Sequence, residues 1–94
     1  MSISLKEGCP SRRADVWLRQ AGEENALYDP RTGSLHLLNH TAFAIWDLCD
    51  GQTRPEEMIE AICQLSGHHR DVVAEDVERI LGGFDKENLL DWMS

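Results

Sequence analysis

Cysteine and histidine are the side chains here that could serve as nucleophile, base or metal ligand near neutral pH, and their spacing supports none of those roles. Cys9, Cys49 and Cys63 are odd in number and contain no CxxC pair, which argues against a disulfide framework or a zinc knuckle. Cys49 and Cys63 stand among apolar neighbours and read as small buried hydrophobes. Cys9 reads as exposed, with no histidine or aspartate arranged to activate its thiol. His68-His69 lacks the ligand set of a metal site. His36 and His40 straddle a strand-to-helix boundary, where cap and surface roles explain them. No nucleophile–base pair, paired acids or phosphate-binding loop stands out. The pattern predicts no metal, no cofactor and no catalytic residue, hence a binding module rather than an enzyme.

Charge narrows the partners. The 94 residues carry 9 Lys+Arg against 17 Asp+Glu, a formal net charge of −8. Phosphate-backbone recognition needs clustered basic side chains, so nucleic acid is disfavoured. No apolar run approaches the roughly 18 residues of a membrane span, and the stretch Met1-Ser-Ile-Ser-Leu-Lys-Glu7 lacks the apolar core of a secretory signal. The cysteine usage fits a reduced, cytoplasmic setting. With 41% apolar residues the chain can build one small core.

The elements divide into a strand-like half and a helix-like half. Residues 1–12 read as a flexible lead-in, broken by Gly8, Pro10 and Ser11, and residues 13–94 as the domain proper. Asp15–Gln20 alternates Val16 and Leu18 against Trp17 and Arg19, a half-buried strand. Gly22–Asn25 is a polar turn, and Ala26–Tyr28 resumes the strand. Asp29-Pro-Arg-Thr-Gly33 is a turn in which Pro30 presets φ and Gly33 accepts a left-handed exit. Ser34–Leu38 returns, completing an antiparallel meander.

Asn39 is a good N-cap for a helix through Cys49 that buries Ala42, Ile45 and Trp46, with Asp50-Gly51 as its stop. Thr53-Arg-Pro-Glu56 has the form of a capping box for a second helix burying Met58, Ile59, Ile62, Cys63 and Leu65, which stops near Gly67. A third helix starts near Arg70 with the stripe Val73, Val77, Ile80, Leu81 and Phe84. Gly82-Gly83 weakens it, Asn88 ends it, and Leu89, Leu90, Trp92 and Met93 return to the core. The fold class is α+β and winged helix-turn-helix-like: a three-stranded antiparallel β-meander followed by three α-helices.

One set of residues goes beyond pattern. Leu38-Asn39-His40-Thr41-Ala42, then Ile45-Trp46-Asp47-Leu48-Cys49-Asp50-Gly51, then Thr53 with Glu56, Glu57 and Ile59 closely resembles the PqqD family. The likeness continues through Asp76-Val77, Ile80-Leu81 and Leu89-Leu90, covering roughly residues 13–91. It implies a peptide chaperone that binds the leader of a ribosomally made precursor peptide and presents it to a modifying enzyme, often a radical SAM maturase. In that family the leader adds as a strand to the third strand of the meander and packs on the third helix.

Carried onto this chain, the expected peptide-binding residues are Ser34, Leu35, His36, Leu37 and Leu38 on the strand and Val73, Asp76, Val77, Ile80, Leu81 and Phe84 on the helix. Leu37→Asp and Val77→Asp are the substitutions expected to weaken binding. Three alternatives stay open. The helix stripe would serve equally well as core. The strand edge could be covered by the N-terminal segment or by a second copy, since the expected state is monomer or homodimer. A winged-helix DNA-binding regulator has the same outline, but its recognition helix, Arg70–Glu87, would hold three basic and six acidic residues, a net −3.

Overall fold

Two turns fold the first half of the chain onto itself. In the computed structural model, which describes residues 8–93, the elements run β1 (Cys9–Arg12), β2 (Trp17–Ala21), β3 (Glu24–Asp29), β4 (Ser34–Leu38), α1 (His40–Asp47), α2 (Pro55–Ser66), α3 (Arg70–Lys86) and β5 (Leu90–Met93). The turn after β3 closes as its residues dictate. The Gly33 N–H donates to the Asp29 carbonyl at 2.8 Å, and the Arg31 N–H donates to Asp29 Oδ1 at 3.0 Å. Gly33 sits at φ 75°, a conformation that side chains with a Cβ disfavour. The sheet order is β2-β3-β4, antiparallel throughout, so the meander and the three helices after it form the expected α+β architecture.

Register sorts the side chains by face. Trp17, Tyr28 and Leu35 lie abreast, as do Arg19, Ala26 and Leu37, and these rows form the outer face. Leu27 with His36, and Asn25 with Leu38, turn toward the helices. Leu27 is 0% exposed, a burial worth about 1.5–3 kcal/mol relative to exposure. It joins Ile45 and Trp46 of α1, Met58 and Ile62 of α2, and Val73, Val77 and Leu81 of α3 in one core. Trp46 meets Phe84 edge to face at 5.3 Å, a favoured aromatic geometry.

Several boundaries differ from the sequence expectation. The lead-in expected over 1–12 lies outside the described residues as far as 7, and its last four residues form β1. That strand exists because it pairs antiparallel with β5, Cys9 opposite Met93 and Arg12 opposite Leu90. Met93 is consequently half exposed instead of buried. Asn39 caps α1 as expected, its Oδ1 accepting from the Ala42 N–H at 2.8 Å. The cap of α2 shifts by one residue. Thr53 is occupied with Asp50, donating both its N–H and its hydroxyl to that carboxylate, so Arg54 opens the helix and its N–H donates to Glu57 Oε1 at 2.9 Å. Leu65 is 84% exposed at the far end of α2, where none of the described elements packs over it.

Candidate functional site

β4 is hydrogen-bonded to β3 on one side, and among the described residues no strand pairs with its other side. Antiparallel pairing uses the N–H and C=O of alternate residues, so every second residue of β4 presents both groups outward. Such an edge invites another strand unless it is blunted by proline, lysine or a cover. Ser34-Leu-His-Leu-Leu38 holds neither proline nor lysine. Leu35 and Leu37 project from the outer face at 64% and 74% exposure, which is costly for aliphatic side chains with nothing to cover them.

Beside this edge runs a cleft of about 350 Å³ between β4 and the C-terminal half of α3. Leu38 and Ala42 form one wall, Ile80 and Gly83 the other, with Phe84 between them and His36 at the strand side. Arg79, Lys86 and Glu87 stand along its helical rim. A second, open recess lies at the Leu38 end of β4, where Glu23 and Glu24 face Asn39 and His40. An extended chain laid along β4 would therefore alternate its side chains between the apolar cleft and the outer face.

The cleft is held at one end by an ion pair. Asp29 is 1% exposed and receives both Nε and Nη2 of Arg31, at 3.1 and 2.9 Å. The same Nη2 donates to the Asn88 carbonyl at 2.8 Å, tying the β3–β4 turn to the residue that ends α3. These hydrogen bonds hold the Asp29 carboxyl below its ordinary value against the opposing effect of burial. Midway along α3, Arg79 is paired with Asp76 at 2.7 Å.

The structure separates the sequence-predicted residues into three groups. His36, Leu38, Ile80 and Phe84 line the cleft together, and Leu37 borders it from the strand edge although its side chain belongs to the outer face. Leu35 shares the strand but faces outward, and Ser34 sits half-buried opposite Asp29. Asp76 is placed on the same helical row as Ile80, one turn before it. Val73, Val77 and Leu81, expected as contact residues, are 3%, 0% and 0% exposed and form the core behind the cleft. A stripe marks the apolar residues of a helix without saying which of them another element covers. Ala42, Gly83, Lys86, Glu87 and Leu89 were not foreseen in the cleft. Extending the row Asp76–Ile80 by helical steps reaches Gly83 and Glu87, and that spacing is the signal that could have found them.

The cysteines take no part in the cleft. Cys49 is fully buried, its Sγ donates to the Ile45 carbonyl at 3.2 Å, and burial pushes its thiol up to about 12. Cys9 is half-buried on β1 instead of exposed. Among the described residues no group of three or more His, Cys, Asp or Glu is placed to hold a metal ion, and no helix is long and apolar enough to cross a membrane.

Comparison with known proteins places this geometry. The family model for coenzyme PQQ synthesis protein D, PqqD, matches residues 24–90, a span that includes β4 and α3. The structure of TbiB1 in complex with the TbiA(beta) leader peptide is 26% identical, with a TM-score of 0.76 over 89% of this chain and 98% of that one. A lasso peptide synthetase B1 complexed with the leader peptide is 23% identical, with a TM-score of 0.71 over 86% of this chain and 94% of that one. The PqqD portion of Methylobacterium extorquens PqqCD, a stand-alone recognition element for ribosomally synthesised and post-translationally modified peptides, is 20% identical with a TM-score of 0.72, covering 87% of each chain. The last two likenesses establish shared fold alone. No curated protein matches the chain.

Proposed function

The chain belongs to the PqqD family, and from that we propose that it is a non-enzymatic adaptor. It captures the leader of a ribosomally made precursor peptide and presents it to a modifying enzyme, such as a radical SAM maturase, in the cytoplasm. The observation that carries this reading is the edge of β4, to which no strand among the described residues is paired, running beside a largely apolar cleft. Backbone hydrogen bonds along that edge supply sequence-independent affinity, and the cleft supplies selectivity for alternate side chains. TbiB1 and the lasso synthetase B1, which share this fold, were each solved with a leader peptide bound. Folding a flexible leader into a strand costs about 2–5 kcal/mol of the gross interaction. An affinity near micromolar, about −8 kcal/mol, is the expected balance.

The test uses the leader of the short precursor encoded beside this chain, made synthetically. Titrated into isotopically labelled protein, it should shift the amides of Ser34–Leu38 and of the cleft side of α3 ahead of all others. Leu37→Asp, at a position 74% exposed, should leave the fold intact and weaken binding about tenfold by calorimetry. Equal dissociation constants for the two proteins would overturn the strand-addition reading. Val77→Asp is not a test of the site, because a charge at a fully buried position removes the core before it touches the cleft.

A further inference from the structure

The row Ile80, Gly83, Glu87 at the C-terminal end of α3 lines the cleft, and at Gly83 it has a gap. Glycine inside a helix is unfavourable relative to alanine, so its presence calls for a reason in packing or backbone geometry. Neither is found. A Cβ on Gly83 would stand in open space, with nothing beyond its own helical turn within 4 Å, and its φ is not in the left-handed region. The neighbouring Gly82 has the same open surroundings but does not line the cleft. What the bare backbone at Gly83 does is deepen the cleft wall between Ile80 and Glu87, opposite Leu38 and Ala42 and above Phe84.

We propose that Gly83 is a specificity-determining position, whose missing side chain opens a socket for one large apolar side chain of the bound leader. The inference rests on the leader-binding reading and adds to it the kind of residue the leader must carry. The side chains around the floor of the socket are apolar, Ile80, Phe84, Leu38 and Ala42, while the polar ones, His36, Arg79, Lys86 and Glu87, stand at its edges. A charged or amide side chain buried against that apolar floor would lose hydration that the floor cannot replace. An aromatic or branched aliphatic one would fill the volume. Because side chains alternate along an added strand, only residues of one parity can reach it.

The experiment compares wild type with Gly82→Ala, Gly83→Ala and Gly83→Leu, using the same synthetic leader with a fluorescent label. Both alanine variants should melt higher, by about 4–8 °C, since each removes a helix glycine with room for a methyl group. Gly82→Ala should bind within twofold of wild type, Gly83→Ala should bind more weakly, and Gly83→Leu tenfold or more weakly. Alanine scanning of the leader then identifies the large inward residue. Its replacement should cost wild type most of what Gly83→Leu costs, and should cost Gly83→Leu nothing further. If wild type binds and Gly83→Leu binds as well, or if Gly82→Ala weakens binding as much as Gly83→Ala, the socket is overturned while the adaptor function stands. If wild type itself fails to bind the leader, the functional reading falls and the socket with it.

Discussion

Asp29 is a carboxylate almost without solvent contact, and it stays charged because one guanidinium covers both its oxygens. Arg31 is also the residue that reaches the Asn88 carbonyl, so one side chain joins the hairpin turn to the end of α3 and sets that end of the cleft. The Arg31 hydrogen bonds lower the folded-state pKa of Asp29, against an unfolded value near 3.9. A group lowered in this way stabilises the fold above its unfolded pKa, and the contribution disappears as pH falls through the folded value. Thermal melts from pH 7 to pH 2 should therefore show Asp29→Asn less stable than wild type near neutrality, with the gap closing in the acid range. A gap that stays constant with pH would mean that the ion pair is not what Asp29 contributes.

β1 and β5 form a two-stranded ribbon whose purpose is visible in what Arg12 does. Its N–H donates to the Cys49 carbonyl at 2.9 Å, and its Nη1 donates to the carbonyls of Trp46 and Asp47 at 3.2 and 2.7 Å. Helix α1 carries no basic residue in its last turn, so a cation from another strand meets its C-terminal carbonyls. Pro10 adds a second tie, its carbonyl accepting from the Gly51 N–H at 2.9 Å. Such a cation at a helix C-terminus contributes roughly 0.3–1 kcal/mol. Arg12→Ala should accordingly lower Tm by about 2–8 °C, read by circular dichroism. Since α1 provides Ala42 to the cleft, leader affinity should fall with it by a few fold.

The molecule as a whole carries a net charge of −8, and the carboxylates of Glu23 and Glu24 border the recess at the Leu38 end of β4. Charges of this kind steer an approaching chain of opposite sign and are screened within about 8–10 Å at physiological salt. A leader with basic residues should bind several-fold more tightly in 50 mM than in 500 mM salt, most of the difference lying in the association rate. The apolar cleft contacts are insensitive to salt, so tight binding should persist at the higher concentration. A leader whose association rate is the same at both salts would show that the acidic surface plays no part in recognition.

Features that depend on neighbours within a few residues could be read from the residues directly. The Asp29–Gly33 turn, the Asn39 cap, the left-handed end at Asn88 and the alternation of β4 all follow from local hydrogen bonding and backbone sterics, and they stand where expected. The cap of α2 moved only because Asp50, three residues away, holds Thr53 more fully than the helix does. The family likeness added a β4 edge and an α3 face as the place for a partner. Assembly decided the rest. Residues 9–12 contain no strand pattern of their own and become β1 only because Leu90–Met93, some eighty positions away, lies beside them. Val77 and Ile80 belong to one apolar stripe, yet packing against α1 and α2 buries the first and leaves the second in the cleft. Periodicity specifies that a helix has an apolar side; how much of it other elements cover depends on contacts between residues far apart in the chain.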